Sequence, residues 1–270
     1  MAARLTTPKW LFGHVLVLAV VVSFTQFGFW QLRRHAERMA LNEVTVARAA
    51  AEPVPLDEAL AAAEAEAAVG VEPARPPDAA LALRDRRVRV AGWFEPQDEV
   101  LRRPVSRDGR PGYHVVTPLR LEGDPDGRRL WVERGWVPDT FDEVPVTEAA
   151  PPEGRVEVVG WLRATTTPPT GWVAAIAPRD PPTGRLVTVA YLDPERLEDQ
   201  VGGPLVPAVL WLESIAGSTP ADAARTWPAP PEPHEVTQGP HLGYAIQWFA
   251  FVAITVVGYA ALLRRVMREG

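Results

Sequence analysis

An imidazole, a phenol, an amide and an indole gather where the last apolar run of the chain begins. On a helix turning about 100° per residue, His241, Tyr244, Gln247, Trp248 and Phe251 fall within roughly a third of the circumference. Near the end of the first apolar run, Gln26, Phe29, Trp30 and Arg33 share a face, with Arg34 following. Polar and ionisable groups beside an apolar span are costly and commonly functional. Two chemistries are open to such faces. Imidazole ligates haem iron, and guanidinium groups such as Arg33 and Arg34 pair bidentately with propionates. The same residue types also anchor helices at membrane interfaces and bond helix to helix. Residue identity alone leaves both readings standing.

The elements that must position these residues are two apolar helices. Trp10 to Leu32 is broken only by His14, Ser23, Thr25, Gln26 and Gln31. Trp10 and Trp30 stand twenty residues apart, about 30 Å along a helix, which matches the hydrocarbon thickness of a bilayer. The run ends in Trp-Gln-Leu-Arg-Arg rather than at a small-residue cleavage site, so an anchor is expected in place of a cleaved signal peptide. The second run ends at about Leu263, and Arg264, Arg265 and Arg268 follow it. These arginines predict a cytoplasmic C-terminus. Two spans then place both termini inside and the central domain outside.

The expected organisation is a cytoplasmic N-terminus at 1–9, a transmembrane helix at 10–32, and a helical extension and linker at 33–85. An extracytoplasmic β-rich domain follows at 86–216, then a proline-rich strap at 217–240, a second transmembrane helix at 241–263 and a cytoplasmic tail at 264–270. The fold class is two transmembrane α-helices flanking an antiparallel, barrel- or sandwich-like β-rich domain with short helices.

Within the middle, Pro53 and Pro55 should stop the first helix, and Asp57 to Ala68 has the Ala/Glu-rich composition of a short helix or a mobile stretch. Pro73, Pro76 and Pro77 mark a linker. Gly92 is expected to mark a bulge or bend in the first strand. Gly123-Asp124-Pro125-Asp126-Gly127 is a hairpin turn signal. Arg87–Trp93 and Arg155–Trp161 agree at five of seven positions, and Leu130–Glu133 resembles Leu210–Glu213. The recurrence predicts two similar β-layers closing on each other. A short helix over Asp193 to Val201 should be capped by Asp193, with Pro194 at its first position. Trp227 to Pro233 favours polyproline II.

Other chemistries find little support. The 270 residues contain no cysteine, which removes disulfides, thiolate metal sites and cysteine nucleophiles. The net charge of -6 and the lack of any recognition motif argue against a nucleic-acid partner. Four serines, none in a Gly-x-Ser-x-Gly setting, leave no hydrolase signature. His14, His35, His114 and His234 form no motif with His241 and read as interfacial or satisfied. Arg102, Arg103, Arg107 and Arg110 read as a solvated loop, and Arg134-Gly135-Trp136 as a strand end with an exposed arginine and an inward tryptophan.

Taken in order, Gly28-Phe29-Trp30-Gln31-Leu32-Arg33-Arg34, Val88-x-Val90-x-Gly92-Trp93-Phe94 and Gly112–Leu119 resemble segments of the Surfeit-locus family of cytochrome c oxidase assembly factors. So do Trp131–Pro138 and His241-Leu-Gly-Tyr244-Ala-Ile-Gln247-Trp248-Phe249. The resemblance covers nearly the whole chain. It departs at residues 50–80 and 215–235. It implies a non-enzymatic membrane protein that binds haem a or hands it to the oxidase core subunit, with haem a synthase as a further partner. The abundance of Arg, Ala, Val and Pro fits a bacterial source and so a bacterial inner membrane. His241 then matches the family's iron ligand. Tyr244, Gln247, Trp248 and Trp30 would line the site, and Arg33 or Arg34 would meet propionates. A cofactor-free scaffold that stabilises oxidase assembly intermediates is the alternative.

Overall fold

Nothing between Trp10 and Ala50 interrupts helical hydrogen bonding, and the first proline beyond is Pro53, which disfavours helical geometry at its predecessor. Helix α1 accordingly runs Pro8–Ala50, 43 residues or about 64 Å. The computed structural model describes residues 7–68, 82–216, 227–232 and 236–269. The chain divides into two units, residues 1–46 with 235–270, and residues 47–234. The predicted linker prolines 73, 76 and 77, most of the predicted strap and His234 lie outside the described residues.

The first unit pairs the bulk of α1 with the last helix, His241–Arg268. Both helices are long and apolar enough to cross a bilayer. The last helix closes with Arg265 and Arg268 in its final turn, where cations complement the helix dipole.

The second unit is a mixed β-sheet with short helices. Its elements are β1 (Val54–Pro55), α2 (Leu56–Ala68), β2 (Arg87–Phe94), β3 (Val100–Arg107), β4 (Arg110–Leu121), β5 (Arg129–Pro138), β6 (Arg155–Ala164), β7 (Thr188–Val189), α3 (Pro194–Val201) and β8 (Leu205–Ile215). The last helix is therefore α4. Strand order is β1-β2-β6-β8-β5-β4-β3-β7, and β2 also pairs with β4. Pairing thus returns on itself through β2, β6, β8, β5 and β4, which leaves no free edge among those five strands.

The antiparallel expectation needs correction. β5 runs parallel to β8, β1 to β2, and β3 to β7. A parallel neighbour requires a long crossover, and the segment from Asp139 to Pro204 supplies one between β5 and β8. The predicted recurrence is also placed differently. Its copies are not two layers but adjacent strands of one sheet: Arg87 pairs with Trp161, Val90 with Val158 and Trp93 with Arg155. The repeat is related to itself by a local two-fold axis through the Val90–Val158 pair. Gly92 carries no register shift in its pairing with β4. The backbone oxygen of Arg120 sits where a Cβ on Gly92 would be, and that of Trp211 stands likewise at Gly160. The recurring glycine therefore admits a crossing strand at equivalent points.

Strand β5 is buried on both faces. Leu130 and Val132 join a core with Val88, Val158, Leu162 and Leu210, and α2 adds Leu56 and Ala59. Trp131 points the other way, into a second core with Val100, Val116, and Leu197 of α3. The hairpin turn forms as predicted: Asp124 Oδ1 accepts from the backbone N–H groups of Asp126 and Arg128, each at 3.0 Å. Helix α3 starts with Pro194 in its first turn, but the Asp193 side chain makes no capping bond. Gly202, with φ of 65°, closes it in the left-handed conformation that glycine adopts without strain.

Candidate functional site

Within the helical unit α1 and α4 run antiparallel, and their contacts form a ladder of matched residues. The Tyr259 hydroxyl bonds His14 Nδ1 at one end. Midway, Trp248 packs against Phe24 and Phe27 with ring centroids 5.3 and 5.0 Å away. Gly28 is the buried glycine of α1. A Cβ there would lie 2.7 Å from the Phe249 ring, so the missing side chain lets Phe249 seat on the α1 backbone. Ala245, also buried, continues the seam. One turn further, His241 Nδ1 lies 2.9 Å from Gln31 Oε1. Beyond it, the Thr237 carbonyl accepts from Asn42 Nδ2 at 3.1 Å and from Arg38 Nε at 3.4 Å.

The seam thus brings the two aromatic-polar signatures to one level. His241 is half-buried as the first residue of α4. Trp248 is half-buried among aromatic rings, while Tyr244 and Gln247 are accessible beside them. On α1 the residues that meet α4 are Phe24, Phe27, Gly28, Phe29 and Gln31. Of the face named from the sequence, Phe29 joins the seam, whereas Gln26 and Trp30 are accessible. Arg33 and Arg34 are accessible too, and Arg34 pairs with Glu37 at 2.9 Å. Sequence reasoning singled out Trp30 and passed over Gln31 as a contact. The usable signal was spacing: Gln31, His35, Arg38 and Asn42 recur at i, i+4, i+7 and i+11, one stripe of a helix. His35 Nδ1, in the middle of that stripe, is buried without a hydrogen-bond partner.

The β unit holds two polar clusters of its own. Glu133 on β5 accepts from Arg102 Nη2 at 2.9 Å and contacts His114 Nδ1 through the same oxygen. Burial alone would raise its carboxyl, but the His114 hydrogen bond and the Arg102 charge outweigh burial and hold it at about 2, against an ordinary 4.5. The His114 ring meets Trp211 edge-on at 6.0 Å, and the Arg163 guanidinium lies 3.0 Å from the centroid of Trp211. Burial brings Arg163 down to about 10, opposed by the charge of Glu133.

The second cluster corrects the expected exposed arginine. Arg134 is buried and bonds Glu99 Oε2 at 2.7 Å, Thr117 Oγ1 at 2.7 Å and the Ala149 carbonyl at 2.6 Å. Burial lowers the Arg134 guanidinium from its usual value, and the facing Glu99 charge opposes that shift. Trp136 is inward as expected. The predicted arginine loop is in fact the β3–β4 hairpin, turned at Asp108 and Gly109, both with positive φ. Three of its four arginines are engaged, Arg102 with Glu133, Arg103 with Asp180 and Arg107 with Glu232, while Arg110 is exposed as expected. Among the described residues, no group of three or more His, Asp or Glu side chains could hold a metal ion.

The order of signatures along the chain has counterparts elsewhere. The SURF1 family model matches residues 18–253, from within α1 to within α4. An uncharacterized SURF1-like protein of Mycobacterium bovis is 27% identical over 260 residues, covering 95% of this chain and 84% of that protein. The cytochrome oxidase assembly protein SHY1 of Saccharomyces cerevisiae is 27% identical over 131 residues, covering 47% of this chain and 29% of the yeast protein. Surfeit locus protein 1 of Takifugu rubripes is 27% identical over 165 residues, covering 55% of this chain and 61% of its own length. With its family match running from one terminal helix through the β unit to the other, this chain belongs to the SURF1 family.

Proposed function

We propose that the chain is a membrane-anchored, non-enzymatic assembly factor for a haem-a-containing cytochrome c oxidase. In this reading it holds haem a between the outer ends of α1 and α4 and passes it to the oxidase core subunit. The name of the yeast relative, an oxidase assembly protein, supports the assembly role. The observation that carries the haem reading is the Gln31–His241 pair, which sets an imidazole where the two helix signatures meet. Both helices span a bacterial inner membrane, with Arg264, Arg265 and Arg268 on the cytoplasmic side and the β unit outside.

The residues present suit such a ligand. His241 has one ring nitrogen engaged by Gln31, which leaves the other for iron. On α4, Tyr244, Gln247 and Trp248 offer aromatic and amide surface to a flat ring. Trp30 would reach it only from beside the α1 face that meets α4, and Arg33 or Arg34 offers a guanidinium to propionates. Bound haem a would bring an iron that needs an axial ligand and two carboxylates that need cations. One histidine ligand suits a carrier that must release its cargo, because a single bond has to be replaced. Haem a synthase is the natural donor in this scheme.

The test is co-expression with haem a synthesis, purification in detergent and comparison of visible spectra for the wild type and His241→Ala. Loss of the haem bands in the variant is expected. Equal occupancy in both proteins would remove His241 from the site. An oxidase that gains its full haem content in a deletion strain, yet fails to assemble, would assign the cofactor-free scaffold role instead.

A further inference from the structure

We infer that Gln31 is a positioning residue that holds His241 in its Nδ1–H tautomer and so presents Nε2, with its lone pair, as the ligating atom. The inference rests on the haem reading above for its purpose, but its geometry stands by itself. A neutral imidazole has one N–H donor and one acceptor nitrogen. The Gln31 atom facing Nδ1 is the side-chain carbonyl oxygen, at 2.9 Å, and a carbonyl oxygen only accepts. With that oxygen facing it, the neutral ring makes its hydrogen bond by carrying the proton on Nδ1, and Nε2 is left bare. Metal-ligating histidines commonly have their second nitrogen fixed in this way, which sets the ring orientation and raises ligand basicity.

Two further features keep that edge of the ring in place and open. Gly239 has φ of 69°, and a Cβ there would stand 3.4 Å from His241 Cδ2 and 3.8 Å from Nε2. Glycine thus supplies the left-handed turn into α4 and keeps a side chain away from Nε2. The Thr237 carbonyl is held by Asn42 and Arg38, which ties down the chain four residues before His241. Gln31, Arg38 and Asn42 lie on the same stripe of α1, so one rigid helix sets both the approach of the chain and the rotation of the ring.

The experiment uses the full chain in detergent, first free of haem and labelled with 15N-histidine. His241 signals are identified by difference against His241→Ala. The expected spectrum has a protonated Nδ1 and a bare Nε2, and Gln31→Leu should convert it to a mixture of tautomers. An Nε2–H tautomer in the wild type would overturn the inference, because it would mean that the Gln31 amide nitrogen faces the ring. In the second arm the haem-loaded protein is titrated. Gln31→Leu should weaken haem retention by about 10- to 100-fold, whereas Gln31→Glu, which still accepts from Nδ1–H, should retain haem and lower its reduction potential. Haem lost in His241→Ala but unchanged in both Gln31 variants would exclude Gln31 and leave the haem reading intact. A wild type with the expected tautomer but no haem would sink the haem reading and leave the Gln31–His241 geometry standing.

Discussion

At Glu133, burial and charge pairing act in opposite directions, and the pairing wins. A carboxylate whose folded value is about 2 against an ordinary 4.5 contributes stability that is complete above the higher value. That contribution is lost as pH falls through the lower one. Stability of the β unit should therefore fall between about pH 4.5 and pH 2, and Glu133→Gln should flatten that part of the curve in denaturant unfolding across a pH series. Arg134 and Glu99 present the sterner case, since both are buried. Removing one partner of a buried ion pair strands the other charge, at about 3–5 kcal/mol. Arg134→Met should therefore lower the unfolding free energy by about that much, and adding Glu99→Gln should recover part of the loss. Neither pair was legible in the sequence. Glu99 and Arg134 are separated by 35 positions, and an arginine before a glycine reads as a strand end until the partner strand is known. His241 was legible as a candidate because it opens an apolar run. Gln31 was quoted as part of a signature but not matched to it, because the partner of a side chain depends on helix rotation.

Elements were the most readable scale. The two apolar runs, the prolines beyond the first and the arginines that close each span predicted α1 and α4, since a long apolar stretch without internal proline has few alternatives to a helix. Where the helices touch was set by the absence of a side chain. Gly28→Leu should drive a branched side chain into the Phe249 ring, while Gly28→Ala asks for a smaller shift. The thermal midpoint in detergent should accordingly fall far more for leucine than for alanine. In the β unit, Gly135 has φ of 143° and the backbone oxygen of Ala229 sits against its open side. Gly135→Ala should cost about 1–3 kcal/mol and free the 227–232 segment, read as faster proteolysis there. The polyproline signal over Trp227–Pro233 came from composition, and Pro233 lies outside the described residues. It could not show that Ala229 bridges Trp136, with N–H···O bonds of 2.8 Å in both directions.

On the scale of the whole molecule, residues 47–234 possess apolar cores built from their own strands and the helices α2 and α3. That segment should fold without the terminal helices. Expressed alone, it is expected to give a near-ultraviolet circular dichroism spectrum with fixed tryptophan environments and a cooperative thermal transition. It should take up no haem, because the proposed ligand lies on α4. A segment lacking such a transition would show that the β unit depends on the helices for its fold.

The linear chain by itself determined what local physics can determine: two helices of membrane length, a β-rich middle, a turn at Asp124, and the family to which the ordered signatures point. It could not determine strand partners, because β5 meets β8 across an intervening segment that includes β6, and local patterning carries no information on which distant strand supplies the hydrogen bonds. The repeated strand was visible, but its self-pairing about Val90 and Val158 was a property of the assembled sheet. The same holds at the helix pair. Composition brought an imidazole and a glutamine to matching levels, whereas rotation of α1 and α4 about their axes, imposed by Phe249 seating on Gly28, decided that they would touch.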